Sequence, residues 1–527
     1  MNENDLKKSN MKYCILAAGI GSRNKAILGL HKGLLPIQNI PTISHTINKF
    51  DNEKEIIITV GHQSEQIKSY LKFVHPNRKI KFIEIDRYTG KGSGPGYSLL
   101  QCKEELQCPF VFGTIDTFFE EDIIFDVKNN WIGVSKISEK DSKKFCLVRG
   151  KEKFESIYYG TGNLAYNGFA GIYDYTDFWT ELEKPNLINN EHQVTTAFKG
   201  LQNIELKYFK NLHDTGTEEE YLKIRKQFGK EVVFAKNDEA IFIDNKRVVK
   251  YFSDENKCKN RIKRTHFLKK FSPNVQELNS NMYGYDFINA TLLSDISDTQ
   301  VFSNLLEKYY KFSLIDKASI DLEKFHDNCV KMYKSKTYDR VKKLQDTDID
   351  KINYINGTFV QPAVKIFDKI DWEHIVTTAI PANFHGDFQP ENILIAKEDK
   401  MFLIDWRESF GNDLEIGDFY YDLAKLYHGL IINGTIAKEK KYSLNIKQNI
   451  ADISYQSKNN LLDFNKILES FCKNHRLDYE KVKLLGVLQY VNIAIFYQDT
   501  EPVYSKFIFL LGKLLMTEIL GSDGADK

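Results

Sequence analysis

Asp387, Asn392 and Asp405 form the sharpest chemical pattern in the 527-residue chain. They lie in His385-Gly386-Asp387-Phe388-Gln389-Pro390-Glu391-Asn392 and, thirteen residues later, in Leu403-Ile404-Asp405-Trp406. Phosphoryl transfer needs a carboxylate to orient and deprotonate the attacking hydroxyl, and oxygen ligands for the cations that bridge ATP phosphates. The three residues supply that set. An Asx-rich loop between helices is the bland alternative, and the spacing and the apolar flanks ILI and FLI weigh against it. Upstream, Lys250 stands in the strand-like run Val248 to Phe252, as expected of a lysine that positions ATP phosphates. The segment Tyr283 to Ile288, with Tyr285 and Phe287, suits a hinge that carries adenine through backbone contacts.

A second set sits near the start. The run Leu16-Ala17-Ala18-Gly19-Ile20-Gly21-Ser22-Arg23 precedes Lys32 by nine residues. Small residues let backbone N–H groups approach phosphate oxygens, and Arg23 and Lys32 would neutralise a triphosphate. A dinucleotide fingerprint fits poorly, because the third glycine of GxGxxG falls at Asn24. Gly92 to Leu99, including Gly94, reads as a flexible loop entering a helix and able to close over a base or sugar. Asp116 follows the apolar run Phe110 to Ile115, at the carboxyl end of a strand, where parallel sheets bind ligands. Asp214 in His213-Asp214-Thr215-Gly216-Thr217 offers a second oxygen ligand, and two carboxylates plus phosphates make a magnesium site. Glu191 and Asn163 are candidates for reaching an acceptor.

The elements that must hold these residues change character along the chain. From Met11 to about Tyr221, runs such as KYCILAAG, EIIITVG and FVFGTID alternate with helical patterns such as SEQIKSYLKFV. That rhythm predicts βα units on a mostly parallel sheet. A hairpin-like pair, VVFAKNDEAIFID and KRVVKYF, follows around Asp244 and Asn245, and helical spacing then dominates. The expected domains are 1–229, α/β and Rossmann-like, and 230–527, α+β and two-lobed, with lobes at about 231–293 and 294–520.

Composition narrows the partners. Lys plus Arg (73) nearly cancels Asp plus Glu (72), so the +1 chain lacks the bulk attraction of a nucleic-acid binder. Seven cysteines without a CxxC pair indicate neither zinc nor a disulfide framework, which fits a reducing cytosol. The first ten residues are polar, and the most apolar run, Phe507 to Leu520, is interrupted by Lys513 and Glu518. We therefore expect a cytoplasmic protein without membrane insertion, closed by an amphipathic helix.

In this order, LAAGxGSR, HKxLLPI, GSGPGYSL, FxxGTID and DTGTEEEYL resemble the nucleotidyltransferase family of sugar-phosphate and phosphocholine cytidylyltransferases over residues 11–225. The resemblance implies that an acceptor phosphate attacks the α-phosphate of an NTP and pyrophosphate leaves. It assigns nucleotide contacts to Ala18, Gly19, Gly21, Ser22, Arg23, Lys32 and Gly94, and magnesium to Asp116 and Asp214. His31-Lys32 stands where sugar-specific members usually have Pro-Lys, which leans toward the phosphocholine branch. Residues 231–520 are similar to choline kinases and aminoglycoside phosphotransferases. Here the resemblance makes Asp387 the catalytic base, Asn392 and Asp405 magnesium ligands, Lys250 a contact to the α- and β-phosphates, and Asp422 a brace for the catalytic loop. Protein kinases match less well, since no GxGxxG precedes Lys250 and Trp406-Arg407 replaces Phe-Gly of DFG. Two departures stand out. Arg407 occupies a position that commonly carries an acid, and Glu255 is the one ion-pair partner on a basic helix after Lys250.

A kinase makes a phosphomonoester and a nucleotidyltransferase consumes one. The fusion implies that ATP phosphorylates an alcohol and that CTP then yields a CDP-alcohol and pyrophosphate for surface polysaccharide or lipid decoration. Choline, ethanolamine or a related amino alcohol or polyol is the expected acceptor, with Trp406, Tyr420 and Tyr421 as cation–π candidates. A sugar giving an NDP-sugar, or a kinase-like half that only regulates the transferase, are the alternatives.

Overall fold

The computed structural model describes residues 11–184, 186–229, 237–315, 320–344 and 346–522. The first ten residues and the opening of the expected hairpin, 232–236, lie outside them. Packing divides the chain into two compact units, one of 1–255 with 276–287 and the other of 256–275 with 288–527.

The first unit is built on nine strands: β1 (Lys12–Leu16), β2 (Ile56–Val60), β3 (Ile80–Glu84), β4 (Phe110–Thr114), β5 (Trp131–Lys136), β6 (Leu147–Gly150), β7 (Phe154–Tyr158), β8 (Leu164–Ile172) and β9 (Glu205–Tyr208). Their order is β7-β6-β8-β4-β1-β2-β3, with β5 also beside β8 and β9 beside β5. Strands β1, β2, β3 and β4 run parallel, as does the pair β5 and β9, whereas β8 is antiparallel to its neighbours. Every residue of β2 is buried, the continuous apolar run that a parallel strand covered on both faces requires. Alternate residues of β1 feed two cores. Tyr13 and Ile15 pack with Ile67, Tyr70 and Leu71 of α1 (Ser64–Val74), while Cys14 and Leu16 pack with Leu99, Phe178 and Trp179. This layered arrangement is the expected Rossmann-like α/β class. Leu16 lies opposite Thr59 on β2 and opposite Thr114 on β4, so the loops that leave β1 and β4 emerge at the same edge.

A small antiparallel sheet of β10 (Glu239–Asp244), β11 (Arg247–Phe252), β12 (Gln276–Asn279) and β13 (Met282–Asp286) belongs to the same compact unit. Phe242 sets its ring edge-on to Tyr70 of α1 with centroids 5.5 Å apart, and the Tyr251 hydroxyl donates to the Leu28 carbonyl at 2.7 Å. Compactness thus follows a different line from a cut at 229 and 230.

The second unit is α+β. Its helices include α2 (Thr299–Ser313), α3 (Lys336–Val341), α4 (Phe419–Ile431), α5 (Tyr479–Ala494) and α6 (Pro502–Ser522). Helix α4 is buried from Phe419 to Leu430, with Asp422, Lys425 and His428 buried among its apolar residues. Strands β14 (Thr291–Leu292), β15 (Ile393–Ala396) and β16 (Lys400–Leu403) form one antiparallel sheet, whose β15–β16 hairpin separates Asn392 from Asp405. Lys513, which interrupts the apolar run of α6, is fully buried and donates to the carbonyls of Asp350 and Ile352 at 2.7 and 3.0 Å. No helix among the described residues is long and apolar enough to cross a membrane.

Candidate functional site

The front site forms where β1 and β4 end. Lys32 extends its ammonium to Asp116 Oδ2 at 3.0 Å. His31 fixes the turn that carries Lys32. Its Nδ1 accepts from the Gly33 N–H at 3.1 Å, so Nε2 donates to the Ala17 carbonyl at 3.0 Å. Burial lowers the His31 pKa to about 3, and the ring is a neutral structural clamp. Gly21 has φ +67°, and a Cβ there would stand 2.9 Å from the Lys32 side chain. A side chain at position 21 would displace the lysine.

Asp214 reaches the same place by pairing between two short strands: it lies opposite Thr117 in an antiparallel bridge, and the Thr215 N–H donates to the Asp116 carbonyl at 2.8 Å. Burial and the charge of Asp116 raise the Asp214 pKa, whereas Lys32 holds that of Asp116 down against its own burial. Two carboxylates that repel one another fit a hard divalent cation, which binds through one or two protein oxygens and completes its shell with phosphates and water. Asn24, at the position of the missing third glycine, donates to the Thr215 and Thr217 carbonyls at 2.8 and 3.3 Å and so ties the Gly21 loop to the Asp214 segment.

Beside this cluster lies a cavity of ≈610 Å³ lined by Gly21, Ser22, Arg23, Lys32, Ser93 and Glu191. Tyr88 and Lys91 also face it, two residues that the motif reading passed over. The loop read as flexible is held on the 190–193 segment: the Gly92 N–H donates to the Asn190 carbonyl at 2.8 Å and the His192 N–H to the Ser93 carbonyl at 2.7 Å. Gly94 adopts φ +119°, and a Cβ there would lie 2.8 Å from the His192 carbonyl. This glycine answers a close approach of two backbones. Ala18 and Gly19 lie on the β1 loop without lining the cavity, and neither does the exposed Asn163.

The rear site gathers Asp387, Asn392 and Asp405 within the second unit. The Asn392 amide donates to Asp387 Oδ2 at 2.9 Å and to its carbonyl at 2.8 Å; Gln389 Nε2 donates to Oδ1 at 2.8 Å, and Lys425 on α4 pairs with Oδ1 at 3.0 Å. Burial would raise the Asp387 pKa, but Lys425 and these donors hold it at about 2. With its nitrogen occupied, Asn392 has its carbonyl oxygen to offer a cation. Asp405, at φ +58°, pairs with Arg261 at 2.6 Å. An amide oxygen and a carboxylate on either side of one hairpin fit magnesium held mainly by ATP phosphates.

The loop from His385 to Asn392 is fixed from behind. Asp422 accepts from the His385 and Gly386 N–H groups at 2.8 and 2.6 Å and from the Tyr309 hydroxyl at 2.6 Å. Burial raises its pKa to about 6. His385, neutral because burial lowers its pKa to about 4, accepts from the Asp387 N–H and donates to the Ile404 carbonyl at 3.0 Å. The fully buried Arg264 donates to the carbonyls of Phe384, Arg407 and Leu414. The basic helix Glu255–Leu268 thus spends Arg261 and Arg264 on the segments that carry Asp387 and Asp405. Sequence reasoning saw only excess charge there, because the partners lie some 120 to 150 positions downstream.

Lys250, Tyr285, Phe287, Glu255 and the cation–π candidates complete the set of expected residues. Lys250 is buried on β11, and Tyr285 on β13 lies opposite Val248, so Lys250, Tyr285 and the exposed Phe287 all belong to the first compact unit. Glu255 accepts from the Ser280 hydroxyl at 3.0 Å. The proposed cation–π residues form no open cage. Trp406 is fully buried with its indole N–H on the Arg261 carbonyl at 2.8 Å, Tyr420 has Lys481 4.1 Å over its ring, and Tyr421 has Lys336 5.0 Å over its ring.

Residues 359–438, which carry Asp387, Asn392, Asp405 and Asp422, match the Phosphotransferase enzyme family, APH. A phosphotransferase-family segment lies in the second unit. Among solved structures, the chain is similar to a UDP-glucose pyrophosphorylase complexed with UDP-glucose at 18% identity and TM-score 0.35, over 41% of this chain and 98% of that one. It is similar to the CTP:phosphocholine cytidylyltransferase from Streptococcus pneumoniae at 19% identity and TM-score 0.35, over 41% and 99%. The inositol-1-phosphate CTP transferase from T. maritima gives 15% identity and TM-score 0.34, over 43% and 99%. No curated protein matches the chain.

Proposed function

We propose that the chain is a bifunctional enzyme. Its rear half, 230–527, transfers the γ-phosphoryl of ATP to a hydroxyl of a small alcohol, and its front half, 1–229, couples the phosphoalcohol to CTP with release of pyrophosphate. The single observation that carries this reading is that the catalytic loop of the phosphotransferase-family segment delivers Asp387 ionised and fully oriented by Lys425, Gln389 and Asn392. A carboxylate so acidic positions the hydroxyl and takes its proton late, as bond formation to phosphorus makes the oxygen acidic. Asn392 and Asp405 would hold magnesium there, which neutralises charge on the phosphates when bound. In the front half Asp116 and Asp214 would hold a magnesium ion of their own, with Lys32 and Arg23 on the triphosphate. The acceptor phosphate attacks the α-phosphorus of CTP, the bond to the β-phosphate breaks, and a CDP-alcohol and pyrophosphate result. The product's chemistry suits activated head groups for surface polysaccharide or lipid. Asp387→Asn tests the division of labour. It should abolish alcohol-dependent ATP consumption yet leave pyrophosphate release from CTP plus added phosphoalcohol unchanged. Loss of both in a folded variant would contradict it.

A further inference from the structure

The ground around Asp387 carries more positive charge than its carboxylates can pair. Lys425 is spoken for by Asp387, and Arg261 lies between Asp405 at 2.6 Å and Glu408 at 3.6 Å. Three cations remain, of which Arg407 has only a share in Glu408. Arg407 lies flat on the catalytic loop: a Cβ on Gly386 would meet its Cβ, Cγ and Cδ at 2.8 to 3.1 Å. Its Nη2 has Glu408 at 3.7 Å, beyond hydrogen-bond reach, and its Nε is buried with no hydrogen-bond partner. Lys336 on α3 sits 3.3 Å from the Tyr421 hydroxyl, and Tyr421 is one helical turn before Lys425 on α4. Arg340, one turn after Lys336, donates to the Asn492 carbonyl at 3.1 Å and stacks on Phe496. Burial opposes ionisation of the Tyr421 phenol, yet Lys336, Arg407, Lys425 and Arg340 together hold its pKa below the ordinary value. Burial, together with repulsion from Arg407, Arg340 and Lys425, lowers the Lys336 pKa to about 7 in spite of Tyr421, so an anion bound there would restore its charge. A buried arginine edge without a partner is costly unless a ligand completes it.

Resting on the kinase reading above, we propose that the alcohol phosphorylated at Asp387 bears an oxyanion, a carboxylate or a phosphate, held by Arg407 and Lys336 with Tyr421 between them. A cationic head group would meet repulsion and find the aromatic faces already covered by lysines. The expected choline or ethanolamine is thereby replaced by a hydroxy acid or a phosphorylated polyol.

The test uses the full chain with ATP, magnesium and four small alcohols: glycerol, choline, glycerate and glycerol 3-phosphate. ATP consumption should favour an anionic member by about tenfold or more in kcat/KM, and the better of the two identifies carboxylate or phosphate. Lys336→Met should raise the KM for that anion about tenfold or more while leaving the KM for ATP within about twofold, and Arg407→Lys should retain more activity than Arg407→Met. Preference for choline or glycerol, or a rise in the ATP KM in place of the alcohol KM, overturns the assignment. If no alcohol supports turnover the kinase reading itself falls, and calorimetry with glycerate and glycerol 3-phosphate decides the site separately. Heat that disappears in Lys336→Met and Arg407→Met upholds an oxyanion pocket; no heat, or heat unchanged by both, refutes it.

Discussion

Asp387 owes its acidity to Lys425 more than to any other neighbour that lowers it. A carboxylate with its folded value depressed to about 2 stays ionised through the whole working range, so Asp387 imposes no acid limb on the kinase rate above roughly pH 4. Lys425→Met removes the 3.0 Å partner and leaves burial unopposed, and burial raises a carboxyl pKa. The acid limb of kcat should then move up by about 1–3 pH units, read from a pH profile of ATP consumption. An unchanged profile with reduced kcat would mean that Lys425 acts on the phosphates instead. The motif residues were legible in the sequence because HxDxxxxN is local. Lys425 was not, since nothing in YYDLAKLYHG distinguishes it from a solvated helical lysine until α4 is turned toward the loop.

At the level of elements, the proposed catalytic loop hangs on two buried groups from other segments, Asp422 on α4 and Arg264 on the basic helix. Asp422 matched a family aspartate and was foreseen, whereas Arg264 looked like surplus charge. Its guanidinium satisfies three carbonyls, and burial lowers its pKa to about 10. Arg264→Met leaves those acceptors without a donor, at about 1–3 kcal/mol for each one that water cannot reach. Thermal denaturation should show a clear fall in Tm with the kinase rate lost, while pyrophosphate release by the front half survives. The front site repeats the lesson. The loop after β1 and the strand end at Asp116 could be read from small residues and apolar runs, and the parallel register brings them to one edge. Asn24 was read only as a missing glycine, because its partners at Thr215 and Thr217 lie 191 and 193 positions away. Gly94 was read as flexible although close backbone approach is what demands it. Gly94→Ala should cost about 1–3 kcal/mol of strain and raise the KM for the nucleotide, measured by unfolding and by pyrophosphate release.

For the molecule as a whole, the α/β and α+β classes followed from the change of hydrophobic period along the chain. The packing of β10 to β13 with the front unit did not, because single contacts such as Phe242 on Tyr70 carry no periodic signal. The central claim is that one chain takes an unphosphorylated alcohol to a nucleoside diphosphate ester. Phosphorus NMR of the purified protein with ATP, CTP, magnesium and a panel of neutral, cationic and anionic alcohols tests it most directly. The account predicts a pyrophosphate-diester signal that grows from one of these alcohols only when ATP is present, absent in Asp387→Asn and restored there by the kinase product. A diester that forms in the wild-type protein to the same extent without ATP, from every acceptor that yields one, would contradict it.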